Sequence, residues 1–69
     1  MLADVYKGYT VRAFVWKLWN EQFEASAGVD LASRRVGASG ALACFPTSEE
    51  AQALGLAWAK DWVDSQVSR

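Results

Sequence analysis

The chain has 69 residues, 52% of them hydrophobic and 22% charged, with a formal net charge of −1. Seven basic and eight acidic side chains are interspersed, which argues against a binder of polyanions built on one concentrated basic face. The composition is globular rather than disordered, yet a domain of this length buries only about 60% of its unfolded surface, so its core must be thin.

Residues 5 to 18 are dense in β-branched and aromatic types and read as one long strand. Tyr9, Val11, Ala13 and Val15 form one face of it, and Thr10, Arg12, Phe14 and Trp16 form the other. Trp19-Asn20-Glu21 is the expected turn, with Asn supplying the left-handed backbone. From Gln22 to Leu31, Phe23, Ala25, Ala27, Val29 and Leu31 alternate with Gln22, Glu24, Ser26, Gly28 and Asp30, the pattern of a half-buried strand. Residues 32 to 40 are small and punctuated by glycine, hence a loop or a frayed start to a third strand over residues 41 to 45.

Helix signals follow. Thr47 stands as N-cap with Glu50 three residues on, a capping box, and Glu49 and Glu50 complement the helix dipole. The helix is predicted from about Ser48 to about Gln66. Ala51, Leu54, Gly55, Trp58 and Trp62 share its core-facing stripe, and Gly55 allows a close approach to the sheet. Leu56, Val63 and Val67 fall on the far side. The fold class is thus α+β, one domain over residues 1 to 69, with a three-stranded antiparallel sheet and one C-terminal helix packed on one face (β-β-β-α).

The ordered cues Tyr6-Lys7-Gly8-Tyr9-Thr10-Val11, Phe45-Pro46-Thr47-Ser48-Glu49-Glu50-Ala51 and Gly55-Leu56-Ala57-Trp58-Ala59-Lys60-Asp61-Trp62-Val63-Asp64 resemble a loose group of short bacterial proteins of uncharacterised role. The resemblance implies a β-hairpin, a third strand and a terminal helix, and no activity.

A small core usually needs a support. Cys44 is the single cysteine and there is no histidine, which excludes an internal disulfide and a Cys/His zinc site; no metal or cofactor is expected. Oligomerisation is the support left open. The first residues hold an acidic side chain and no apolar run of signal-peptide or membrane-span length, so the expected location is cytoplasmic, without membrane attachment.

Three classes of function compete. Catalysis would have to use Glu49 with Glu50, Asp61 with Asp64, or Cys44 or a serine without a histidine base. Helix-start acids and off-stripe aspartates read as solvated charge, and Cys44 as a small core residue. Nucleic-acid binding would draw on Arg12, Arg34 and Arg35. The β-β-β-α order is similar to part of a double-stranded-RNA-binding domain, but the acidic helix start and the scarcity of cations disfavour it. Self-association is the third. With Tyr9, Val11, Ala13 and Val15 under the helix, Phe14 and Trp16 point away from it and Trp19 sits at a turn, with Arg12 beside them. Exposed aromatic clusters mark interfaces. A bulge in the first strand would turn Phe14 and Trp16 inward but leave Trp19 outside. The sequence therefore favours a small non-enzymatic interaction protein that binds a second copy of itself, as a homodimer, or an unknown protein partner through Arg12, Phe14, Trp16 and Trp19, with a nucleic-acid-associated module as the alternative.

Overall fold

The computed structural model describes residues 2–67. The elements in chain order are β1 (Leu2–Tyr6), β2 (Tyr9–Lys17), β3 (Phe23–Leu31), β4 (Arg34–Ala38), β5 (Ala43–Phe45) and α1 (Ser48–Val67). The α+β class and the C-terminal helix stand, but the sheet has five strand segments rather than three.

Both extra strands arise from turns without a strong sequence mark. Tyr6 pairs with Tyr9 across Lys7 and Gly8, whose positive φ angles of 52° and 87° make a two-residue hairpin turn. Such turns match the twist of the strands they join. The expected single strand from residue 5 to residue 18 is therefore folded back on itself. In the same way Leu31 pairs with Arg34 across Ala32 and Ser33, at φ of 52° and 66°. Residues that rarely adopt this conformation hold it because the strands on either side are paired. The segment expected to be a loop is β4.

All pairings are antiparallel, in the order β1-β2-β3-β4, with β5 also on β3. β4 and β5 share one edge of β3, β4 along Gly28–Leu31 and β5 along Phe23–Ala25. Between them the Ser39 amide donates to the Ala27 carbonyl, the Ala27 amide to Ser39 Oγ, and the Leu42 amide to the Ala25 carbonyl. The strand edge stays satisfied where no strand pairs with it.

α1 lies across one face of β2 and β3. Its start is set by Thr47, whose hydroxyl accepts from the Glu50 amide at 3.3 Å and donates to the Glu50 carboxylate at 2.9 Å. The core consists of Val11, Ala13, Ala25, Ala27 and Val29 from the sheet against Ala51, Ala59 and Val63 from the helix, with Gly55 buried between. The largest fully buried side chains are valines. A Cβ on Gly55 would stand 2.8 Å from the Ala13 Cβ and from the Ser26 carbonyl oxygen, so the expected close approach is real. The seam runs at four-residue spacing through the smallest helix residues, because a helix this near the sheet has no room for larger ones.

Two corrections follow from that seam. Leu54, Trp58 and Trp62, expected to face the core, are only half-buried along its flanks, and Val63, expected on the far side, is fully buried. Trp62 lies on Gly37 and meets the Tyr9 ring edge-on, with centroids 6.2 Å apart. Asp64, read as solvated charge, instead accepts from the Tyr6 hydroxyl at 2.9 Å and from Lys7 Nζ at 2.7 Å, tying the first hairpin to the helix. No helix among the described residues is long and apolar enough to cross a membrane.

Candidate functional site: the helix-free sheet face

The helix covers one face of the sheet, and among the described residues no element is packed across the other. Cross-strand partners share a face, so the register Thr10↔Asp30, Arg12↔Gly28, Phe14↔Ser26 and Trp16↔Glu24 lays out the open side of β2 and β3 as a grid. That register runs unbroken from Thr10 to Lys17. No bulge turns Phe14 or Trp16 inward.

The irregularity lies on β4. Val29 pairs with Gly37 and Asp30 with Arg35, so Val36 is one residue too many for β3. The bulge returns Arg35 to the face of Asp30, where regular pairing would have put it under the helix side. The Arg35 Nε donates to Asp30 Oδ1, and the Arg12 Nε donates to Asp30 Oδ2 at 2.7 Å. Hydrogen bonds from Arg35 first, then from Arg12, hold the Asp30 carboxyl below its ordinary value. From Asp30 the Arg35 guanidinium lies back over Gly28, where a Cβ would meet its Nη1 at 2.7 Å, and reaches 5.5 Å from the centre of the Phe14 ring. Arg35 thus roofs part of Phe14, and the bare backbone at Gly28 makes room for it.

The opposite end of the face is aromatic and acidic. Trp16 is 62% exposed and stands beside Glu24. Just beyond it, in the loop after β2, Trp19 is 94% exposed. That loop closes with the Leu18 amide donating to the Gln22 carbonyl and the Gln22 amide to Asn20 Oδ1. Its left-handed residue is Glu21, at φ 65°, and not Asn20, which contributes through its side chain instead. Cys44, expected in the core, is exposed and pairs with Glu24 on the open face.

Of the residues singled out for an interface, Arg12, Phe14 and Trp16 share this face and Trp19 borders it. The three arginines of the alternative reading do not assemble. Arg12 and Arg35 converge on one carboxylate, whereas Arg34 pairs with Leu31 and belongs to the other side of the sheet. Asp30, Gly28 and Glu24 were missed as site residues. Their alternation on β3 placed them opposite the helix, but nothing in the sequence set the register that puts Asp30 within reach of two arginines. No protein family, curated protein or solved structure matches the chain, so the functional reading rests on this geometry.

Proposed function

We propose that the chain is a small interaction protein, acting by binding rather than catalysis, and that it self-associates as a homodimer through the helix-free sheet face. The observation that carries this reading is the placement of Trp16 and Trp19, 62% and 94% exposed, in a molecule whose largest fully buried side chains are valines. Burying one such ring is worth about 2–3 kcal/mol, more than the core gains from any one of its residues. The face beside them carries the guanidiniums and the aromatic ring, residue types favoured at interface centres. Nucleic-acid binding ranks below this reading, because Asp30 offsets one of the two cations on the face and phosphate contacts supply most of such affinity.

Trp16→Glu is the test. In a dimer it removes the exposed Trp16 rings of both copies and puts in their place carboxylates directly opposite Glu24 of the same face, a like-charge pair on adjacent strands. We expect the native chain to sediment as a dimer at micromolar concentration and the variant as a folded monomer, since Trp16 supports no part of the core. A native chain that stays monomeric at high micromolar concentration would sink the proposal.

A further inference from the structure

The open face is unevenly charged, and the unevenness distinguishes two ways of stacking it on a copy of itself. At one end Arg12 and Arg35 share Asp30, a surplus of one positive charge. At the other, Glu24 stands beside Trp16. When two identical faces stack with two-fold symmetry, the axis lies in the plane between them. An axis along the strands would set each basic end on the partner's basic end. An axis across the strands would set each basic end on the partner's acidic, aromatic end.

Resting on the self-association proposed above, we infer that the axis runs across the strands and passes through the cross-strand pair Phe14↔Ser26. Trp16 and Arg12 lie equally far from Phe14 along β2, and Glu24 and Gly28 equally far from Ser26 along β3. Rotation about that axis therefore brings Trp16 over the partner's Arg12 and Glu24 over the partner's Gly28. The guanidinium of the partner's Arg35 lies at that last position, so each Glu24 faces a cation and each Trp16 ring faces another. The arginines are already held by Asp30, which lowers the ordering cost of association.

Sedimentation equilibrium across a salt series tests the axis. The native dimer should weaken several-fold between about 50 and 500 mM salt as opposite charges are screened. Glu24→Gln should dimerise about tenfold more weakly than the native chain at low salt and respond little to added salt. Glu24→Lys should be monomeric where the native chain is dimeric, and mixing it with Arg35→Glu should restore a mixed dimer, because each altered end then meets its opposite. A native dimer that tightens with salt, or Glu24 variants that dimerise as the native chain does, would overturn the axis and leave self-association standing. So would a folded Arg35→Glu chain that fails to capture Glu24→Lys. Should Arg35→Glu fail to fold, with its new carboxylate beside Asp30, the two Glu24 variants decide alone. A native monomer would remove self-association and the axis together.

Discussion

Each face of the sheet presses something against a glycine, and the two contacts differ in what can yield. On the covered face Gly55 lets the helix settle onto the Ala13 side chain and the Ser26 carbonyl, both fixed by β2 and β3. On the open face Gly28 lets Arg35 lie over the strand, and the atoms it would displace belong to the end of a long flexible side chain. The first contact defines the fold. The second arranges a surface, and it can be altered without touching the core.

The largest effect separating the two faces should come from Gly55→Ala. The added methyl would improve helix propensity by about 1 kcal/mol. It would also force the helix off the sheet along the seam of Val11, Ala27, Val29, Ala59 and Val63, and overpacking a rigid site costs typically 1–3 kcal/mol. Because buried contacts beyond the clash are loosened too, we expect a net loss of about 1–2 kcal/mol, or roughly 4–16 °C in melting temperature for a domain of this length. A thermal melt at or above the native midpoint would show that the helix can sit further from the sheet at no cost.

Gly28→Ala should do much less to stability, within about 1 kcal/mol of native, because the Arg35 guanidinium can swing aside and alanine suits a strand better than glycine. Its effect belongs on the surface. With Arg35 displaced, Phe14 loses its roof and the Asp30 bridge loses one partner, so dimer affinity should fall while the stability of the monomer, measured by melts at concentrations too low for dimerisation, changes little. A drop in stability as large as that of Gly55→Ala would mean that the open face supports the fold as the covered face does.

The smallest effect concerns acid. Asp30 is held below its ordinary value by Arg35 and Arg12, and Asp64 by Lys7 and Tyr6. Each carboxylate is easier to ionise in the folded chain than in the unfolded one. The stability it contributes is complete above the unfolded value near 3.8 and is lost as pH falls through the lower folded value. Asp30→Asn should therefore lower stability at neutral pH and make the acid limb of the pH–stability curve shallower. Asp64→Asn should do likewise, through the hairpin-to-helix tie of the covered side. Denaturant melts from pH 2 to 7 measure both; an unchanged acid limb in Asp30→Asn would show that the bridge does not differ between folded and unfolded chains.

Which parts of this were legible beforehand depends on how local their causes are. Thr47 and Glu50 act within one helical turn, so the helix start at Ser48 could be read directly. The alternation from Phe23 to Leu31 likewise assigned a face to each of its residues before any partner strand was known. The outward set Arg12, Phe14 and Trp16 came from the same rule, which needs only the pleat of one strand.

The tertiary structure alone decided the rest. Ala32 and Ser33 carry no turn signal strong enough to announce a hairpin; paired strands on both sides impose their positive φ angles. The bulge at Val36 is a property of two strands together, and it is what moves Arg35 onto the open face. Val63 is buried and Trp58 and Trp62 are only half-buried because the helix presses close enough to the sheet that small residues fit the seam and large ones are pushed to its flanks. Residue type and spacing thus determined which elements form and which way their side chains point, since those follow from backbone geometry within a few residues. Register and separation between elements determined which side chains meet, since packing is settled only when distant parts of the chain compete for the same space.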